Sequence, residues 1–180
     1  MDLVRTRLKN AFSWKGDAGT SSVLADRSGW ARDRDVISQI GTALGGLFPD
    51  EKPTIVLAPQ SSGYLYGSLV AQATGAGFVG ASKTRRELAH SDKWLVATTP
   101  LDYAGRNMEL SFRASLIDGS ERVLVIDDWA DTGGQLLAMK YLVEQSGARY
   151  IGASVIVDGL TDHSVRRDIN LRSLLSVRDL

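Results

Sequence analysis

Cysteine is absent from the 180 residues, which excludes disulfides and thiolate metal sites and leaves the redox compartment unmarked. Histidine is scarce: His90 and His163 lie far apart, outside the H-x-x-x-H spacing of a helical zinc pair, and read as surface residues. An excess of one charge is also missing. Lys and Arg number 21 and Asp and Glu number 21, so no general field draws the chain to nucleic acid or an anionic membrane. No apolar run approaches the ~20 residues of a membrane span, and "MDLVRTRLKNAFSW" has no apolar core of signal-peptide length. No repeat, low-complexity tract or Pro/Gly/Ser linker divides the sequence. The expectation is one soluble, cytoplasmic domain over residues 1–180, with neither nucleic acid nor membrane as partner.

Four short apolar runs are present: "TIVLA" (54–58), "FVGAS" (78–82), "RVLVI" (122–126) and "IGASVIVD" (151–158). Continuous hydrophobicity, without alternation, marks strands covered on both faces. Between the runs, "RDRDVISQIGTALGGLF" carries Val36, Ile37, Ile40, Ala43, Leu44 and Leu47 at helical spacing. "YLYGSLVAQATG" and "GQLLAMKYLVEQSG" follow strands and end at Gly, a helix stop signal. The class predicted is α/β, a parallel sheet with helices on both faces. One segment departs from the pattern: Met108, Leu110 and Phe112 alternate with Glu109, Ser111 and Arg113, the period of a strand with one wet face. With "WLVAT" before it, and Pro100 and Gly105 between, it reads as an inserted antiparallel hairpin. Both a cover over the site and a solvated excursion fit that pattern.

The chemistry concentrates in "VLVIDDWADTGGQ", Val123 to Gln135. In an open parallel sheet, ligands bind beyond the carboxyl ends of the strands, where residues 127–135 are expected. Gly133 and Gly134 let the chain turn with amides exposed. Those amides, the Thr132 hydroxyl and the N-terminus of a helix starting near Gly134 suit a phosphate dianion. Asp127 and Asp128 need another partner, since carboxylates crowding a phosphate repel it. Vicinal ribose hydroxyls, or a cation spanning the pair, fit. Together these describe a cradle for a ribose 5-phosphate. An acidic turn capping a helix accounts for one Asp but not for the ordered set. A P-loop fails because no Lys follows Gly134, and "GAGFVG" (75–80) precedes a strand where a dinucleotide fingerprint opens a helix. A phosphoacceptor receiver domain carries its acidic pair on the first strand.

Across its length this segment resembles the signature of the type I phosphoribosyltransferases: four apolar strand residues, two acids, then a T-G-G-like loop. The likeness extends over most of residues 20–180 and is closest to the adenine phosphoribosyltransferases. It implies that Asp127 and Asp128 hold the ribose hydroxyls and that Asp131, Thr132, Gly133, Gly134 and Gln135 hold the 5-phosphate. "APQSSGYLYGSLVAQATGAGFVGASK" is similar to that family's pyrophosphate loop, which implies pyrophosphate contacts for Ser61, Ser62 and Gly63. Lys83, Arg85 and Arg86 then meet pyrophosphate charge across a dimer interface, or form a solvated basic face. "LDYAGRNMEL" is similar to the flap, with Asp102 and Tyr103 at its tip, within a flap region of residues 83–113. "VLADRSGW" (23–30) loosely resembles the hood of residues 1–30 that covers the base. Leu24, Ala25 and Trp129 are weak candidates for base contacts, and Trp30 reads equally as core.

Two positions depart from the adenine enzymes. Ser62 stands where their loop carries Arg. Asp131 stands where they carry Ala and is similar to the acid that hypoxanthine-guanine phosphoribosyltransferases hold near the purine. Asp131 is therefore the candidate catalytic residue, as general base or hydrogen-bond acceptor, against a helix N-terminal Asp favoured by the dipole. The resemblance implies displacement of pyrophosphate from 5-phosphoribosyl 1-pyrophosphate by a nucleobase nitrogen, a purine such as adenine, in a homodimer. Mg²⁺ would be carried by substrate, with Asp127 and Asp128 as its candidate protein ligands. Two alternatives stay open: a sensor of the fold without catalysis, and an enzyme with an unusual heterocyclic acceptor.

Overall fold

The computed structural model of the protein describes residues 2–16, 23–83, 93–100 and 107–180. The chain opens with α1 (Asp2–Asn10), which buries Val4 and Leu8, one helical turn apart. A short antiparallel ribbon follows, β1 (Ser13–Gly16) against β2 (Val23–Asp26). These elements are too short to carry a readable period, so the sequence assigns none of them. After α2 (Ser28–Arg32), Asp33 caps α3 (Arg34–Gly45): its carboxylate accepts from the backbone N–H groups of Asp35 and Val36. The expected periodic positions Val36, Ile40, Ala43 and Leu44 are the buried ones.

The α/β part then runs β3 (Ile55–Pro59), α4 (Ser62–Thr74), β4 (Gly77–Ala81), β5 (Trp94–Thr98), β6 (Glu109–Arg113) and β7 (Arg122–Ala130). It closes with α5 (Gly134–Gln145), β8 (Arg149–Asp158), α6 (His163–Asp168) and β9 (Leu171–Ser176). All four apolar runs are strands of one parallel sheet, ordered β4-β3-β7-β8-β9. The fifth strand, β9, escapes the sequence because it is an edge. Only Leu174 and Leu175 of "LRSLLS" are buried, too few for a run. One boundary needs correction. β7 continues four residues beyond "RVLVI", so Asp127 and Asp128 lie within the strand and not after it.

Helices cover both faces. On one, α1, α3 and α4 pack through Leu8, Ile40, Leu44 and Val70 onto Val56, Leu124 and Ile126. On the other, Leu136, Met139 and Leu142 of α5 meet Leu57, Val123, Val125 and Val155. The hairpin shares this second face. β5 pairs antiparallel with β6, and Leu110 and Phe112 are buried, as the alternation predicts. Ser111, expected on the wet face, is buried too. It exchanges backbone hydrogen bonds with Ser82 of 2.8 and 3.0 Å, stitching β6 to the residue after β4. The stem is therefore part of the core, which excludes a solvated excursion for it.

The strand order places a topological switch point between β3 and β7. From β3 the chain winds outward to β4, and from β7 it winds the other way to β8 and β9. Pairing between β3 and β7 stops at Leu57 and Val125, although both strands continue. The two ends part there and leave a crevice.

Close approach of α3 to α4 holds this face together. A Cβ on Gly41 would lie 2.3 Å from the backbone oxygen of Leu69, which has no side-chain freedom with which to yield. Gly41→Ala should cost about 1–3 kcal/mol by overpacking, in spite of the ~1 kcal/mol that Ala gains over Gly within a helix. Urea unfolding of the two chains should show that loss as a lower midpoint.

Candidate active site

Four Ser and Asp side chains are buried among the described residues, and two of them are the adjacent acids Asp127, 2% exposed, and Asp128, 6% exposed. Neighbouring strand residues point to opposite faces, and the pair divides accordingly. Asp127 turns toward α5: its Oδ2 accepts from Gln135 Nε2 at 2.6 Å, and its Oδ1 accepts from the backbone N–H of Asp128 at 2.9 Å. Burial raises the Asp127 carboxyl above the usual carboxylate range, and the charge of Asp128 raises it further. The two hydrogen bonds oppose that shift without cancelling it. Asp128 turns to the other face, where Arg27 Nη1 donates to its Oδ2 at 2.8 Å. Tyr66, buried on α4, is pushed up to about 12, first by burial and then by the charge of Asp128, so it stays protonated.

The strict alternation of β7 slips just beyond the pair. Trp129 packs with the cluster of Leu124 and Ile126, whereas Ala130 packs with that of Val123 and Val125. The slip brings Trp129 beneath the N-terminal ribbon, 6.1 Å from the rings of both Phe12 and Trp14. Register decides what the ribbon presents. Trp14 lies opposite Ala25 and shares its face, while Leu24 lies opposite Lys15, faces the other way and is 65% exposed. Of the weak base candidates, Ala25 and Trp129 thus gather on the Trp14 side and Leu24 does not. Trp30 resolves as core: it is fully buried and donates Nε1–H to the carbonyl of Leu8.

After β7, Asp131 and Thr132 are exposed at the turn. Gly133 has φ +79° and precedes the first turn of α5, and a Cβ there would strike Val165 at 2.6 Å. No side chain caps this helix, so its first amides face the crevice apart from a long 3.4 Å contact of Gly134 N–H with Thr132 Oγ1. The hairpin stem comes close: Thr99, Pro100, Asn107 and Met108 join Thr132, Gly134 and Gln135 around a cleft of about 370 Å³. Across the switch point, Ser61 and Ser62 are exposed at the start of α4 with Gly63 buried behind them. Gln60 fixes this loop, its N–H bonding to Ala81 and its Oε1 accepting from the Ser82 hydroxyl and the Lys83 N–H. Lys83 is exposed at the end of β4. Arg85, Arg86, Asp102 and Tyr103 lie outside the described residues.

Sequence reasoning missed Arg27, Gln60, Trp14 and the stem residues Thr99 and Asn107. Arg27 alone had a signal, a cation directly after the ribbon acid Asp26, but nothing local names Asp128 as its partner 101 positions away. Among the described residues, no group of three or more His, Asp or Glu converges as a metal cage.

The raised Asp127 carboxyl has a pH consequence. Between the ordinary Asp value near 4 and its higher folded value, the native state holds more protons than the unfolded chain, so stability falls as pH rises through that window. Asn at this position keeps an acceptor for the Asp128 N–H and an amide for a flipped Gln135. Asp127→Asn should therefore melt a few degrees above the parent at pH 8, with the gap closing toward pH 4. Melting curves across that range check it, and an equal gap at both ends would refute the assignment.

The family model for the phosphoribosyl transferase domain matches residues 33–176. An adenine phosphoribosyltransferase of Desulfitobacterium hafniense is 30% identical over 109 residues, 61% of this chain and 60% of the relative. A xanthine phosphoribosyltransferase of Geobacillus thermodenitrificans is 31% identical over 126 residues, 70% of this chain and 64% of the relative. The chain thus spans less than two thirds of the length of either. The fold is that of the adenine phosphoribosyltransferase of Saccharomyces cerevisiae, solved with an imino-altritol bisphosphate and adenine: TM-score 0.82 at 23% identity, covering 97% of this chain and 100% of that one. With four fifths of its length matched by the family model, the chain belongs to the phosphoribosyl transferase domain family.

Proposed function

We propose that the protein transfers the 5-phosphoribosyl group of 5-phosphoribosyl 1-pyrophosphate to a ring nitrogen of a purine, releasing pyrophosphate. The observation that carries this reading is the crevice at the switch point. A buried acidic pair lies near the carboxyl end of β7, and an uncapped helix N-terminus entered through Gly133 lies directly beside it. The amides of residues 131–135 and the Thr132 hydroxyl take the 5-phosphate. Asp128 takes the ribose hydroxyls, with Asp127 and Gln135 bracing it from behind. As the base nitrogen forms its bond to C1, the bond to pyrophosphate breaks and the electron pair leaves with it. The ribose becomes cationic at that moment, and the carboxylate of Asp128 favours that charge. Asp131 at the rim accepts the proton of the base or a hydrogen bond from it.

The hairpin stem, anchored in the core, borders the same crevice through Thr99, Pro100, Asn107 and Met108, and exclusion of water there protects the reactive centre. Mg²⁺ bound to the pyrophosphate would neutralise the leaving group. The residues fit a metal brought by substrate: this cation takes one or two carboxylates, here that of Asp128 on the crevice side, and otherwise phosphate oxygens and water. The yeast structure holds adenine and the Geobacillus relative is named for xanthine, so a purine is the class both support, with adenine the first to test. No helix among the described residues is long and apolar enough to cross a membrane, which supports a cytoplasmic enzyme. Phe78 on the edge strand β4 and Leu65 on α4 are exposed apolar residues, which supports a homodimer through that edge.

One observation favours a second reading. Ser62, where the adenine enzymes carry Arg, is exposed and brings no cation to the pyrophosphate loop, as suits a sensor of the donor. Pyrophosphate release with donor, Mg²⁺ and a panel of purines and pyrimidines separates the two. Turnover is expected with a purine, and Asp128→Ala should lower it at least about a hundredfold. No release with any base would overturn the enzyme reading in favour of the sensor. Unchanged turnover in Asp128→Ala would remove the role given to that acid.

A further inference from the structure

Both acids of the signature are engaged before any sugar arrives. Asp127 gives one oxygen to the Asp128 amide and the other to Gln135. Asp128 gives Oδ2 to the guanidinium of Arg27, which is 40% exposed and so approaches from the open side of the crevice. Arg27 belongs to the N-terminal ribbon through its neighbour. Asp26 is paired with Lys15 of β1 and accepts from the N–H and hydroxyl of Ser28.

A ribose hydroxyl and a guanidinium are both donors toward a carboxylate, and with its side chain only 9% exposed Asp128 offers them little accessible surface to share. Charge sets them against each other as well. An arginine stays protonated, and while it rests on Asp128 it cancels the negative charge that favours a cationic ribose. The arrangement in the free protein is therefore a satisfied one that the donor sugar has to replace.

We propose that Arg27 is a positioning residue for donor recognition. It holds the Asp128 carboxylate in the free protein and yields it to the ribose diol, so that donor binding and release of the ribbon from the acidic pair are one event. This rests on the reading of Asp128 as the diol-binding acid given above. It assigns a role to a residue outside the signature, on an element that only the fold brings to the site. Because the two donors compete for the accessible part of a mostly buried carboxylate, removing Arg27 strengthens sugar binding while weakening the free fold, whose buried Asp128 loses its cation.

Calorimetric titration with ribose 5-phosphate, which carries the diol, and with inorganic phosphate, which does not, tests this on the intact chain. Arg27→Gln should bind ribose 5-phosphate about fivefold or more tighter than the parent, bind inorganic phosphate equally, and melt at a lower temperature without ligand. Arg27→Lys keeps the charge, and with it the fold, and should shift ribose 5-phosphate affinity in the same direction by a smaller factor. An arginine with a merely structural role would lower the melting temperature and weaken both ligands. Unchanged or weaker binding of ribose 5-phosphate in either variant overturns the proposal. If the parent itself binds ribose 5-phosphate no better than inorganic phosphate, it is the diol assignment, and the phosphoribosyl reading with it, that fails.

Discussion

Two carboxylates buried side by side at the end of a parallel strand set the terms for everything around them. An ion taken out of water and left unpaired costs several kcal/mol, whereas each hydrogen bond to a charged group returns about 1.5–3 kcal/mol. Asp127 receives two such bonds and Asp128 a guanidinium, all from groups within hydrogen-bond reach of the pair. The balance does not close fully for Asp127, whose carboxyl remains raised by burial and by its neighbour. A strand end optimised for stability alone would carry apolar residues at both positions. Strain of this electrostatic kind, concentrated where the sheet opens, marks a site built for a ligand.

The remaining parts of the site are arranged by rigid attachments. Trp30, fully buried and tied to the Leu8 carbonyl, fixes the region from which Arg27 reaches Asp128. The Ser82–Ser111 exchange fixes the hairpin stem to the end of β4, and the same stretch bonds Gln60 in the loop before α4. One edge of the crevice is thus a hydrogen-bonded frame linking β4, the hairpin and the start of α4. Both the hairpin stem and the region after the ribbon are thus held firmly to the core.

Much of this was legible in the chain itself. Apolar runs with helical segments between them announced the α/β class, because strands covered on both faces have no polar side to show. The ordered set of acids, Thr and Gly in residues 127–134 marked the strand end that the structure opens into a crevice, and carries the phosphate and diol reading proposed above. The alternation of Leu110 and Phe112 announced the hairpin. Where the reading failed, the reason was local weakness. β9 is an edge with two buried residues, α1 and the ribbon are too short for a period, and polar Asp127 and Asp128 disguised the last turns of β7 as loop.

The sequence alone thus determined the fold class, the strand-to-helix turn and the chemistry of the residues in that turn, since all three depend on contacts a few positions apart. Only the tertiary structure decided the strand order that puts the β3 and β7 ends together, the divergence of the acids to opposite faces, and the approach of Arg27 and Trp14 to the end of β7. Those contacts join residues more than a hundred positions apart. Closing such long loops is an entropic cost met by the whole core, so no short stretch of sequence encodes it.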